Sequence, residues 1–159
     1  MKPNLVILGA GTNFFNNNPS SLQQITLKKR VLDFQLEAFK KIKPNVFYVG
    51  GYEINSIIKH FPSLKYDINQ DWEKTGSFQS FLTAVRSNRF EIKNESDLYI
   101  CYSDILFKEK LIKKISNDKD FSIQVVTDEL KDNKIIEENK KEKISLKDKN
   151  FRFVGLIKI

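Results

Sequence analysis

Apolar residues along this chain come in two rhythms. Short, mostly apolar runs at Leu5–Leu8, Val46–Val49, Leu64–Ile68, Leu98–Tyr102, Phe121–Thr127 and Phe151–Ile159 predict strands. Between them the spacing turns helical. Lys28 to Ile42 carries Val31, Phe34, Leu36, Ala38 and Phe39, and Pro44-Asn45 stops that helix. Glu53 to His60 predicts a short helix ended by Pro62. Thr75-Gly76-Ser77 starts another that runs to about Asn88, with Phe78, Phe81, Leu82 and Val85 on one face. Lys108 to Ile115 is helical as well. Gly9 to Gln24 is a polar loop, and Lys131-Asp132-Asn133 reads as a turn leading to Lys134–Glu137.

Strands alternating with helices over short connections imply an α/β fold. The expected architecture is a doubly wound, mostly parallel sheet with helices on both faces and right-handed crossovers. With no internal repeat and no linker, residues 1–159 are read as one domain. Ligands of such sheets sit beyond the C-terminal strand ends. Three segments fall there: the Gly9-Ala10-Gly11-Thr12-Asn13 loop after Leu8, the Gly50-Gly51-Tyr52 turn, and Asp104.

The hydrophobic fraction of 40% over 159 residues supports a packed core. Cys101 is the single cysteine, so no internal disulfide forms, as suits a reducing compartment. The first apolar run is too short for a signal peptide, and no run approaches the roughly 20 apolar residues that cross a bilayer. A cytoplasmic protein with no membrane partner is expected. The net charge of +7 would suit an anionic partner, but the lysines are spread along the chain. The densest stretch, Glu137 to Lys149, alternates acids with lysines and lacks interleaved aromatics, so it reads as a solvated face or loop and no nucleic-acid partner is expected.

A strand breaking into Gly-x-Gly is a way to bring backbone amides up to a phosphate. The dinucleotide fingerprint would need a third glycine where Phe14 stands and an acid where Gly50-Gly51-Tyr52 stands. A P-loop would need Gly-Lys-Ser/Thr, which is absent. One histidine and one cysteine exclude a zinc centre and a Cys-His nucleophile pair. Cys101 reads as a buried small residue, His60 as a helix-end contact and Asp97 as a turn residue. Trp72 and Tyr52 read either as core or as an aromatic wall that could face a trimethylammonium group.

In order and spacing, the chain resembles the nucleotidyltransferases that activate sugar phosphates and phosphocholine-like head groups with an NTP, proteins of the MobA-like NTP transferase fold. Their Gly-x-Gly-Thr-Arg loop and Pro-Lys-x-Leu segment are matched by Gly9-Ala10-Gly11-Thr12-Asn13 and Pro19-Ser20-Ser21-Leu22. Their first helix is matched by Leu32-Asp33-Phe34-Gln35-Leu36-Glu37-Ala38-Phe39, and their Val-x-Gly-Tyr by Val49-Gly50-Gly51-Tyr52. Asn69, Trp72, Thr75 and Ser80-Phe81-Leu82 follow the next segment, and Ser103-Asp104 the strand-ending Gly-Asp.

The resemblance implies Mg²⁺-dependent transfer of a nucleotidyl group from an NTP, CTP or UTP favoured, to a phosphorylated small-molecule acceptor, for cell-surface polysaccharide or head-group assembly. Asp104 would hold Mg²⁺. Leu8, Gly9, Ala10, Gly11, Thr12, Asn13, Gly51, Tyr52, Thr75, Gly76, Ser77 and Ser80 would line the nucleotide and acceptor. The departures are specific. The loop arginine is Asn13 and the Pro-Lys lysine is Ser20, with Lys28, Lys29 and Arg30 as the nearby cations. The glycine before Asp104 is Ser103, and the family's second metal-binding Asp has no counterpart. A catalytically degenerate nucleotide-binding domain of the same fold is the alternative, and a homo-oligomer is left open.

Overall fold

In the computed structural model of the chain, residues 2–12, 18–87, 96–117, 124–129, 143–146 and 149–159 are described. The elements in order are β1 (Asn4–Gly9), a 3-10 turn (Ser20–Leu22), β2 (Gln24–Thr26), β3 (Lys29–Arg30), α1 (Val31–Phe39), β4 (Asn45–Gly50), α2 (Ile54–His60) and β5 (Lys65–Ile68). They continue with α3 (Ser77–Arg86), β6 (Leu98–Tyr102), α4 (Glu109–Asn117), β7 (Gln124–Glu129), β8 (Lys143–Leu146) and β9 (Lys149–Lys158).

The main sheet runs β5-β4-β1-β6-β9-β7, with β8 added to β9. Strands β5, β4, β1 and β6 are mutually parallel. β9 enters antiparallel to β6, and β7 is antiparallel to β9. β1 lies at the centre of the parallel part, and its Leu5, Val6 and Ile7 are wholly buried. The doubly wound, mostly parallel α/β sheet expected from the alternation is the fold found.

Side-chain alternation along β1 divides the core. Leu5 and Ile7 face a layer containing Leu32 and Phe39 of α1, Ile57 of α2 and Ile112 of α4. Val6 and Leu8 face Phe81, Ala84 and Val85 of α3. Within the first layer, Phe39 meets Tyr99 edge-on at 5.4 Å between ring centres, an arrangement that adds about 0.5–1.5 kcal/mol to the area term. The helix starts have local causes. Arg30 N donates to Asp33 Oδ2 (2.7 Å), which begins α1 at Val31. Glu53 in the left-handed region (φ 49°) turns the chain into α2.

Three expectations change. The helix predicted from Lys28 begins at Val31, because Lys29–Arg30 pairs antiparallel with Gln24–Thr26. Inside the charged stretch Glu137 to Lys149, Lys143–Leu146 is a strand on β9, so part of a presumed loop extends the sheet. Phe78, expected on the apolar face of its helix, is 70% exposed. The predicted turn at 131–133 and the run Lys134–Glu137 lie outside the described residues, as do 121–123 at the start of the Phe121–Thr127 strand. Among the described residues, no helix is long and apolar enough to cross a membrane.

Candidate nucleotide site

The parallel strands β1, β4 and β6 deliver Gly9, Gly50 and Tyr102 to one edge of the sheet, and the backbone beyond them stays stitched together. Ser103 N donates to Leu8 O (3.0 Å), Tyr52 N to Ala10 O (2.9 Å) and Asn69 N to Gly50 O (2.9 Å). The Gly-x-Gly turn is thereby fixed from both sides. A Cβ on Gly9 would come within 1.9 Å of Tyr48 Oη and 2.9 Å of Ser103 Cβ, so glycine is what lets the turn pass this close to the Asp104 loop. Ala10 is buried, whereas Gly11 and Thr12 are exposed. Among the described residues, a Cβ on Gly11 or on Gly76 would meet no atom within 4 Å.

Tyr48 supports this turn from below. Its Oη lies 2.5 Å from Ser21 Oγ and donates to Gly9 O (3.3 Å), tying the segment after the glycine loop back to β4. Burial pushes the Tyr48 hydroxyl up to about 12, so it stays a neutral donor at ordinary pH. Asp104 follows directly in the turn after β6 and is exposed. Burial, together with the Asp104 charge, pushes the Cys101 thiol well above its ordinary value; Cys101 is a buried packing residue.

The opposite wall is built differently. Asn69 is buried and donates from Nδ2 to Thr75 Oγ1 (2.9 Å) and Ser80 Oγ (3.1 Å), while its Oδ1 accepts from Asp71 N (3.1 Å). Thr75 Oγ1 donates onward to Asp71 O (2.8 Å). Ser80 is buried, and both hydroxyls belong to this knot. Tyr52 packs edge-on against Trp72 at 5.4 Å, and Gly51 leaves room for that indole, 2.6 Å from where a Cβ would stand. Gly76 precedes α3, and Ser77 Oγ lies 3.2 Å from Tyr102 Oη. A mostly apolar cavity of about 170 Å³ opens between Leu8, Ser77, Phe78, Phe81, Tyr102 and Gly155.

No family model matches the chain. It is 29% identical over 136 residues to CTP:phosphoglutamine cytidylyltransferase of Campylobacter jejuni, covering 79% of this chain and 52% of that protein. It is 32% identical over 156 residues to the bifunctional protein GlmU of Campylobacter lari, covering 91% of this chain and 34% of that protein. The solved CTP:phosphocholine cytidylyltransferase of Streptococcus pneumoniae superposes over 99% of this chain and 70% of its own, with TM-score 0.65 at 16% identity. These likenesses support a nucleotidyltransferase family for the chain. It spans about half or less of the length of these curated relatives.

The two halves of the predicted site are placed as follows. Leu8, Gly9, Ala10, Gly11 and Thr12 lie at one strand end with Asp104 beside them, and Asn13 lies outside the described residues. Gly51 and Tyr52 lie at the neighbouring strand end, and Thr75, Gly76, Ser77 and Ser80 around the start of α3. Of the nearby cations, Lys29 pairs with Glu37 at 2.5 Å and stands over the Phe34 ring at 5.4 Å, pulling the Glu37 carboxyl below its ordinary value. Arg30 sits instead with Asn18, Gln23 and His60 around a polar hollow. Ser21, Tyr48 and Gln35 were given no role by the sequence reading, because each acts through a partner at least 27 residues away.

Among the described residues no group of three or more His, Cys, Asp or Glu could cage a metal ion. The donor set beside the glycine turn is one exposed carboxylate. That suits Mg²⁺, which takes one or two carboxylates and completes its shell with phosphate oxygens and water.

Proposed function

We propose that the chain is the nucleotide-binding portion of a Mg²⁺-dependent nucleotidyltransferase. It would move a nucleotidyl group from CTP to a phosphorylated small molecule and release pyrophosphate. The observation that carries this reading is the side-by-side placement of the Gly9–Gly11 turn and Asp104. They sit at adjacent parallel strand ends, joined by the Ser103–Leu8 hydrogen bond and by the bare Cα of Gly9. Amides of the turn would face the phosphates, and the Asp104 carboxylate would hold the metal. When bound, Mg²⁺ would offset charge on the transferring phosphate.

In the reaction, an oxygen of the acceptor's phosphate attacks the α-phosphorus of the NTP. The bond from that phosphorus to the oxygen bridging to the β-phosphate breaks, and pyrophosphate leaves with the electron pair. CTP is favoured over UTP because two of the proteins similar to this chain are named as CTP-using cytidylyltransferases. The absence of a cysteine pair and the use of a nucleotide triphosphate suit the cytoplasm.

The test is calorimetric titration with CTP, UTP, GTP and dTTP, with and without Mg²⁺, followed by pyrophosphate release with sugar phosphates, phosphocholine and phosphorylated amides as acceptors. Selective binding of one NTP, strengthened by Mg²⁺, is expected. Binding of none would overturn the reading. The degenerate alternative has its own support: Asn13 and Ser20 replace two cations, and Lys29 is engaged with Glu37. It predicts Mg²⁺-strengthened binding with no pyrophosphate release from any acceptor.

A further inference from the structure

Gln35 lies in the middle of α1 and is wholly buried. Its Nε2 donates both hydrogens across the fold, to Tyr102 O and to Ile105 O, each at 2.7 Å. Those two carbonyls bracket Ser103-Asp104. From the other side, Ser103 N is held by Leu8 O, and Ser103 Cβ abuts Gly9. The Asp104 turn is thus pinned at both ends by one side chain beneath it, while the carboxylate itself stays exposed.

Among the described residues, Gln35 Oε1 is buried without a hydrogen-bond partner. Burying an unpaired carbonyl is unfavourable, and methionine would fill the same space without one. Core packing therefore does not explain an amide here; its two donors do. We propose that Gln35 is a positioning residue for Asp104, fixing the turn so that the carboxylate faces the glycine loop in one arrangement. The proposal rests on the reading of Asp104 as the metal-holding residue. Groups that orient a metal ligand typically matter about 10- to 100-fold in metal affinity or activity.

The experiment compares wild type, Gln35→Met and Asp104→Asn for CTP binding as a function of Mg²⁺ concentration. In Gln35→Met the affinity without Mg²⁺ should stay within about twofold of wild type, while the half-saturating Mg²⁺ concentration rises about tenfold or more. A purely structural role would lower the folded fraction and scale the signal without moving that midpoint. An unchanged midpoint overturns the proposal. Should Gln35→Met not fold, Gln35→Asn, one methylene short of the two carbonyls, takes its place.

Backbone hydrogen exchange separates this proposal from the reading beneath it. If CTP binding by the wild type ignores Mg²⁺, or Asp104→Asn leaves the Mg²⁺ dependence intact, the functional reading falls. Exchange at Ser103, whose amide is held by Leu8 O, then decides whether Gln35 holds the turn. Exchange about tenfold faster there, with β1 unchanged, supports the bracket. Equal exchange in both proteins overturns it.

Discussion

The Asp104 wall and the Asn69 wall of the strand-end site are both rich in polar residues, yet they use them differently. On the first, buried side chains grip backbone: Gln35 holds two carbonyls, and Tyr48 with Ser21 holds the glycine turn. Asp104, proposed to hold the metal, is left at the surface. On the second, side chains also grip each other: Asn69 holds Thr75 and Ser80, and the knot closes on the Asp71 backbone. The first wall is a backbone mould around an exposed carboxylate. The second is a strut that fixes the entry to α3. Substitutions should therefore separate function from stability on the first wall and combine them on the second.

Asp104→Asn is the sharpest test of that split. It removes an exposed charge, so stability should change by less than about 0.5 kcal/mol. Pyrophosphate release, where the wild type shows it, should fall about 10²–10³-fold, and the Mg²⁺ dependence of CTP binding should vanish. Turnover and chemical denaturation measured on the same preparation check both halves. A large loss of stability with activity retained would break the comparison.

On the second wall, Asn69→Ala should cost about 2–3 kcal/mol, because it strips partners from Thr75, Ser80 and Asp71 at once in a buried setting. Ser80→Ala removes one of those bonds and should cost about 1 kcal/mol. The double variant should be less destabilised than the sum, as expected of residues in contact. Additive losses in urea titrations would mean that the knot does not act as a unit.

Gly9→Ala tests the mould itself. A methyl there runs into Tyr48 and Ser103, and such overpacking costs about 1–3 kcal/mol. Adding Tyr48→Phe removes the atom nearest the new methyl and should restore part of the loss in thermal unfolding. Tyr48→Phe alone carries a smaller signature. The native hydroxyl titrates near 12 against an ordinary value of 10.0. Its contribution to stability is full below about pH 10 and is lost as pH rises through about 12. The stability difference between wild type and Tyr48→Phe should therefore shrink across that window in urea titrations at stepped pH, and a flat difference would remove Tyr48 from the support of the turn.

How much of this was legible in the sequence follows the range of the interactions. Periodicity located β1, β4, β6 and α1 to within a few residues, because buried apolar runs are a local signal. The β2–β3 hairpin was lost because Lys28, Lys29 and Arg30 continue a helical pattern locally, while the pairing with Gln24–Thr26 depends on strand register. β8 was hidden by its charged surroundings, since its partner β9 supplies the hydrogen bonds whatever the side chains are. The glycine turn and Asp104 could be found as motifs. Gln35 could not be given a role, because its meaning lies 67 and 70 residues away. Thr75 and Ser80 were legible as polar positions near α3, but not as partners of Asn69.

Gly11→Ala should have the smallest effect on the fold and is for that reason informative about the ligand. Among the described residues no atom lies within 4 Å of the added Cβ, and Gly11 has no positive φ, so stability should hold within about 0.5 kcal/mol. Gly9→Ala and Gly11→Ala add the same methyl two residues apart, one against the protein and one into open space. If the space over Gly11 is where a triphosphate lies, Gly11→Ala should weaken CTP binding about tenfold in calorimetry while its melting temperature matches wild type. Gly9→Ala should lower both. Wild-type affinity in Gly11→Ala would mean that the nucleotide does not pass over this glycine, and the exposed side of the mould would then have to be sought toward Gly76, the other glycine on this edge whose added Cβ meets open space.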